Sequence, residues 1–430
     1  MKNVLFIVYY FPPMGGSGVQ RPLKFVKYLR EFGWNPIVLC PEPGRYPYFD
    51  ESLAEELASL SVEVIRINPD TLFHVGTKSS SASQNRWQVP DLFAKIARRI
   101  LRLFLYPDNK KGWIAPAIEK GNEILSSRNI KAIFSTAPPF SNHIVGKELS
   151  KSSGVPLVLD YRDAWLNNHF MDGMFDWQKK KMLKLEQECV AEADSIIGLD
   201  DFMLQQMKDE YELSEDTLQV IPHGYDPEDF EKPGQPTLDY KKGKLNFLYS
   251  GLFYEQNQPD VFLKALRKAI VEKGVSKEKI HLHFQGGLDH RIKELIRKLN
   301  FEDIVSDYGY QTHSQAVANL KQADVLWMIS NFDSSHKQVK SGKLFEYFGA
   351  QKPVLGLVQD GKEAELLRQY TAGFIAKVDS IEDTAETLVK IFSSWNKQTL
   401  PAGNSEFTGS FNRKQLTQKL AQIFDKISSQ

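Results

Sequence analysis

The segment NFDSSHKQVKSGKLFEYFGA places Lys337, Lys340 and Lys343 in a loop that runs into a short helix beginning near Ser341 and Gly342. Fixed cations and the unpaired N–H groups of a helix N-terminus both stabilise a diphosphate, including the charge that grows on it as it leaves. Glu346, one turn further, offers two carboxylate oxygens to two adjacent ribose hydroxyls. Lys343 and Glu346 are thus catalytic candidates, and Lys340, Ser341, Gly342 and Leu344 complete an expected donor-binding stretch. The same residues also fit a solvated basic loop with an ordinary helix glutamate. A second anion-suited loop, FPPMGGSGVQRPL, carries Gly15, Gly16 and Gly18 ahead of another helix. Glycines let a ligand approach the backbone closely and the helix start presents free N–H groups. A plain strand-to-helix turn is the alternative. It is not a dinucleotide fingerprint, because Arg21 stands where the third glycine belongs.

Other candidates belong to the acceptor of a group transfer. VPLVLDYRDAW ends in Asp160, Arg162, Asp163 and Trp165. Asp163 can take a proton from an attacking hydroxyl or hold it by hydrogen bonding, and Arg162 can tune that acid or bind a lipid phosphate; an Asp–Arg pair capping the next helix explains them equally well. His143, in STAPPFSNH, is either an acceptor-side group or part of a helix N-terminus, and His223 in IPHGYD reads as positional. In DLFAKIARRILRLFLYPDNKKGW the cations Lys95, Arg98, Arg99 and Arg102 share one helical face opposite Leu92, Phe93, Ile96, Ile100, Leu103 and Phe104. A basic amphipathic helix suits an anionic membrane surface, or else a surface helix burying its apolar face in its own domain.

The elements that position these groups are short apolar runs separated by helical patterns. VLFIVYY, NPIVLC, VEVIRI, KAIFST, VPLVLDY, DSIIGL and LQVIP precede a break; KLNFLYSG, IHLHFQGG, DIVSDYG, ADVLWMIS, KPVLGL and AGFIAKV follow it. Continuous apolar strands alternating with helices predict parallel sheets covered on both faces. The Pro-, Gly- and charge-rich stretch between Pro222 and Leu245 divides the chain into an N-terminal Rossmann-like domain (1–222), a linker (223–244) and a C-terminal Rossmann-like domain (245–408). The tail, 409–430, contains an amphipathic helix that must dock on something, in one arrangement back on the N-terminal domain. Ligands of such sheets bind at the carboxyl ends of the strands, so two doubly wound domains are expected to face each other across a cleft.

Composition narrows the function. Lys and Arg number 54, as do Asp and Glu, so the zero net charge gives no whole-molecule case for nucleic acid. Cys40 and Cys189 make neither a disulfide framework nor a metal cluster, which favours a reducing compartment. The N-terminal apolar run is cut by Pro12 and Pro13 and reads as a strand, not a signal peptide. No stretch reaches the roughly 18–20 apolar residues of a membrane span.

YYFPPMGGSGVQRPLKFVKYLREFGWNPIVL, STAPPFSNH, GVPLVLDYRDAW, IPHGYD, FLYSG and SGKLFEYFGAQKPVLG, in that order, resemble a retaining glycosyltransferase of GT-B fold and family 4 type, similar to bacterial enzymes of surface-polysaccharide synthesis. The last segment is the most diagnostic, resembling the second half of a donor-nucleotide motif with two glutamates. The resemblance implies a nucleotide-diphosphate sugar donor bound by the C-terminal domain, with Glu346 on its ribose, Lys343 beside its diphosphate, the Gly15–Gly18 loop facing it across the cleft and Gly251 and Gln338 among the donor-binding residues; it implies a saccharide or lipid-linked acceptor on the side of the N-terminal domain, met in the cytoplasm or on the inner membrane face. It also implies a front-face mechanism in which the leaving diphosphate helps deprotonate the acceptor. No Asp-x-Asp occurs, and neither a metal nor another cofactor is expected. Two departures stand out: Gln338 occupies the place of the first glutamate, and no basic pair follows Gly251. They keep open a non-catalytic GT-B subunit or a sugar-nucleotide epimerase.

Overall fold

A computed structural model describes residues 1–44, 46, 48–68, 106–166, 174–254, 257–330 and 341–429. Each apolar run becomes a parallel strand. In the first unit these are β1 (Lys2–Ile7), β2 (Trp34–Pro41), β3 (Glu63–Ile67), β4 (Ile130–Ala137), β5 (Leu157–Tyr161), β6 (Ser195–Gly198) and β7 (Leu218–Val220), ordered β3-β2-β1-β4-β5-β6-β7. The second unit has β8 (Leu245–Ser250), β9 (Ile280–Gln285), β10 (Val305–Asp307), β11 (Val325–Ser330), β12 (Val354–Val358) and β13 (Gly373–Lys377), ordered β10-β9-β8-β11-β12-β13. Both are doubly wound Rossmann-like sheets.

The strands read as unbroken apolar runs because helices cover both faces. In β1, Leu5 and Ile7 enter one core while Val4 and Phe6 enter the core behind them. In β11, Trp327 and Ile329 face one layer, and Leu326 and Met328 the other. Strand residues alternate sides, so only a sheet buried on both faces demands apolar residues at every position.

The chain divides after Pro222, and Leu416–Gln430 belong with the first unit. The Arg413–Ile427 helix buries Leu416, Leu420, Phe424 and Ile427 against that unit's core, where Phe424 meets Trp34 at 5.2 Å and Phe134 at 6.0 Å between ring centroids. Each such buried side chain stabilises by about 1.5–3 kcal/mol.

The stretch 223–244, read from sequence as a linker, is fastened to the second unit. Its Pro227–Glu231 helix places Phe230 and Tyr225 over Gly349, where an added Cβ would lie 2.5 and 2.7 Å from their rings. Further along, Asn319 Oδ1 accepts from the Thr237 and Leu238 amides at 2.8 and 2.9 Å, and Asn246 Oδ1 accepts from Lys241 N at 3.0 Å. The segment shows little apolar periodicity because it is held mainly through its backbone.

Candidate functional site

In the second unit, three strands end in glycine at the sheet's carboxyl edge. Gly251, Gly286 and Gly309 follow β8, β9 and β10, with the Gly251 amide on Gln285 O and the Gly286 amide on Gly309 O, both at 2.7 Å. A Cβ on Gly286 would sit 2.3 Å from Gly251 O, so the strand ends approach more closely than any side chain permits. Gly251 has φ +117 and Gly286 φ +131, conformations that L side chains rarely adopt. The sequence reading had not used Gly286 or Gly309; QGG and YGY directly after apolar runs were the available signal.

The Lys343–Ala350 helix starts beside this edge. Tyr347 clamps it there, its hydroxyl donating to Trp327 O at 3.1 Å and accepting from Ser250 N at 3.0 Å. Gly342 is the N-cap residue and supplies no side-chain cap. The Ser341 amide donates to Glu363 Oε1 at 3.1 Å, whereas the Gly342 and Lys343 amides have no acceptor among the described residues. Leu344 is fully buried and anchors the first turn.

Lys343 crosses back over β8. Its Nζ donates to Tyr249 Oη at 2.7 Å and lies 4.3 Å from that ring's centroid. A Cβ on Gly251 would stand 2.6 Å from Lys343 Cε, so the glycine makes room for the lysine stem. Part of the side chain remains accessible, but the ammonium is enclosed enough that burial pulls its pKa down to about 8, with Glu346 acting the other way. Glu346 is half-buried on the same helical side. Burial raises its pKa; His313, Arg413 and Lys343 oppose that, while Asp229 adds to it. No described residue donates a hydrogen bond to its carboxylate. The expected partners Gln338 and Lys340 lie outside the described residues, as does Lys337.

In the first unit the Ser17–Leu29 helix starts at Gly16, which has φ +103 and gives no side-chain cap. The loop is pinned from behind: the Gly15 amide donates to Tyr48 O at 2.9 Å, and the Asp50 amide to Pro13 O at 2.9 Å. Gly16 and Ser17 are exposed, leaving the helix start open to an anion. Gly18 lies against Arg162, whose Nη1 would be 3.3 Å from an added Cβ.

Arg162, expected on the acceptor side, is anchored to backbone carbonyls. Its guanidinium donates to Gly18 O at 2.8 Å, Ala137 O at 3.2 Å and Pro138 O, so it ties the ends of β4 and β5 to the glycine loop. His143, the other expected acceptor-side group, is fully buried, with Nδ1 2.9 Å from Ser135 Oγ and its ring between Phe140 and Tyr161. Burial drives its pKa down to about 3, Asp160 opposing and Arg162 assisting. Trp165, stacked on Phe140 at 4.7 Å, is buried too. Asp163 alone of the group is exposed, just past the end of β5.

Sequence reasoning missed the pairing of Arg21 with Asp160. Arg21 donates to Asp160 through Nη2 at 2.7 Å and Nε at 3.1 Å, and through Nη1 to Pro222 O at 2.8 Å; Thr136 donates to the same carboxylate at 2.7 Å. Burial alone would raise the Asp160 pKa, but Arg21 and these hydrogen bonds hold it below the ordinary value. The residue replacing the third glycine is therefore a core ion-pair partner. Lys95, Arg98, Arg99 and Arg102 lie outside the described residues. Among those described, no helix is long and apolar enough to cross a membrane.

The chain matches the family model described as Glycosyltransferase Family 4 over residues 19–229 and that of glycosyl transferases group 1 over 235–404. No curated protein sequence matches it. Among solved structures it is similar to sucrose-phosphate synthase from Thermosynechococcus elongatus (13% identity, TM-score 0.67, all of both chains). A glycosyltransferase from Rickettsia africae gives 16% identity and a TM-score of 0.65, over 99% of this chain and 98% of that one. HepE of Anabaena, solved with UDP, gives 15% identity and a TM-score of 0.60, over 99% of this chain and 100% of that one. Two sheets of GT-B type and two adjoining family matches agree with the glycine-rich strand ends and the Lys343–Glu346 helix: the chain belongs to the family 4 type of GT-B glycosyltransferases.

Proposed function

We propose that this glycosyltransferase takes a sugar from a nucleotide-diphosphate donor, with retention, and passes it to a saccharide or lipid-linked acceptor in cell-surface polysaccharide synthesis. The observation that carries the reading is the start of the Lys343–Ala350 helix, where two amides that have no acceptor among the described residues and a partly buried ammonium stand one turn from a carboxylate to which no described residue donates a hydrogen bond. The amides and Lys343 receive the diphosphate, and Glu346 accepts from the ribose hydroxyls. The glycine-lined ends of β8, β9 and β10 leave backbone room for the nucleoside. A uridine nucleotide is the first donor class to test, since HepE was solved with UDP.

In the transfer, the bond from the anomeric carbon to the diphosphate oxygen breaks while a bond to the acceptor oxygen forms on the same face. The acceptor proton passes to the departing diphosphate. Lys343 and the helix N-terminus stabilise the charge released, and no metal or other cofactor is invoked. Exposed Asp163 orients the acceptor hydroxyl. A lipid-linked acceptor would bring the protein to the inner face of the cytoplasmic membrane, to which the cations Lys95, Arg98, Arg99 and Arg102 are suited.

Release of nucleoside diphosphate from a panel of sugar nucleotides, with membrane extract as acceptor, tests the reading. Turnover of one donor is expected, abolished by Lys343→Met. No turnover with any donor, together with no thermal stabilisation by any nucleotide, overturns it.

A further inference from the structure

The Asp176–Glu192 helix buries Gln178, Met182, Glu186, Cys189 and Val190 and turns its opposite side to solvent. On a 100° wheel, Trp177, Lys180, Lys181 and Lys184 fall together on that outer side. All four are exposed, Trp177 by 48%, and Phe175, just before the helix, by 42%. From Phe175 to Leu185 the chain carries four lysines, Lys179 included, against one acid, Asp176. None of these lysines is ion-paired to a described residue. Glu188, one turn beyond Lys184, is held by Lys147 at 2.9 Å. Lys181 Nζ rests 5.4 Å from the Trp177 ring, keeping cation and indole side by side.

Two large exposed aromatics beside unpaired lysines are not explained by the first unit's own core. We infer that this helix end is a docking surface for an anionic lipid bilayer, Trp177 and Phe175 entering the headgroup boundary while the lysines contact acidic headgroups. Charge complementarity selects this partner: the whole chain has no net charge, whereas this patch is locally cationic. Indole rings favour the interface between headgroups and acyl chains, and long lysine stems let the ammonium stay in water while methylenes cover apolar surface. The inference gives the membrane contact of the proposed function a described surface distinct from residues 95–102. Binding itself requires neither donor nor acceptor.

The full-length protein is sedimented at low salt, without nucleotide, with phosphatidylcholine vesicles that contain or lack phosphatidylglycerol. Binding only to the anionic vesicles is expected, weakening as salt rises. Lys180→Glu/Lys181→Glu/Lys184→Glu should lower partitioning by about 100-fold or more, since each lysine near such a surface contributes about fivefold. The corresponding Lys→Gln variant, with unchanged thermal unfolding, should show a smaller loss, and Trp177→Ala a loss of several-fold that leaves the salt dependence intact. Absence of wild-type binding overturns the inference. So does unchanged binding of the lysine variants, including the case in which only Arg98→Glu/Arg99→Glu/Arg102→Glu abolishes it. A failure to turn over sugar nucleotides would leave these results untouched, so the two proposals fail separately.

Discussion

The two units carry similar hardware at the carboxyl edges of their sheets, a glycine-rich strand end followed by a helix start with cations nearby, and use it in opposite ways. In the first unit the cations are taken up internally: Arg21 is locked on Asp160 and Arg162 on three carbonyl oxygens. In the second, among the described residues, Lys343 makes a single hydrogen bond, to the Tyr249 phenol, and Glu346 receives none. A buried charge whose partners are all in place holds a fold together, while one left underpartnered lowers stability and awaits a ligand of opposite charge. The contrast is what places the donor's diphosphate on the second unit in the proposed function.

Breaking the first unit's pair should produce the largest effect. Asp160→Ala leaves the Arg21 guanidinium buried without its carboxylate, and a loss of about 3–5 kcal/mol is expected in chemical denaturation. An unchanged midpoint would deny the pair its structural role. Acidification probes both units alike. His143 and His283 have pKa values near 3 and His281 near 4, all lowered chiefly by burial. Between the ordinary histidine value of about 6.5 and those values the unfolded chain binds more protons than the folded one. Stability is therefore present at neutral pH and lost as pH falls through that window, which urea titrations at several pH values would show.

Lys343→Met sharpens the contrast because its two effects have opposite signs. Donor affinity should fall about 10- to 100-fold in calorimetry, as charge-assisted hydrogen bonds disappear. Thermal stability of the unliganded protein should hold or rise, because a cation pulled down to about pKa 8 is removed. In the wild type, donor affinity should decline as pH rises through about 8 and Lys343 loses its proton. A pH-independent affinity would take Lys343 out of the phosphate site. The smallest effect is expected from Glu346→Gln: several-fold weaker nucleotide binding, with loss of any preference for UDP over its 2′-deoxy counterpart. A preserved preference would remove Glu346 from the ribose.

How far the sequence could be read depended on the range of the interaction. All thirteen strands among the described residues appeared as apolar runs, since burial on two faces leaves its mark on consecutive residues. The helix start that Lys343 and Glu346 share was legible for a similar reason: the two lie within one turn of each other. Arg21 looked like a spoiled phosphate loop because its partner is 139 residues away. That Ser135 bonds His143, and that Gly18 and Pro138 carbonyls hold Arg162, has no local sign in the sequence either. The stretch 223–244 read as a linker because its anchors, Asn246, Tyr308 and Asn319, are distant side chains bonding its backbone.

By itself the sequence determined the two-sheet architecture and the family resemblance, and it singled out the lysine and carboxylate of the proposed donor helix, all carried by local periodicity and spacing. Only the tertiary structure decided which charges are already satisfied. That depends on which distant side chains share a low-dielectric interior, where a paired ion holds the fold and an underpartnered one is left to bind.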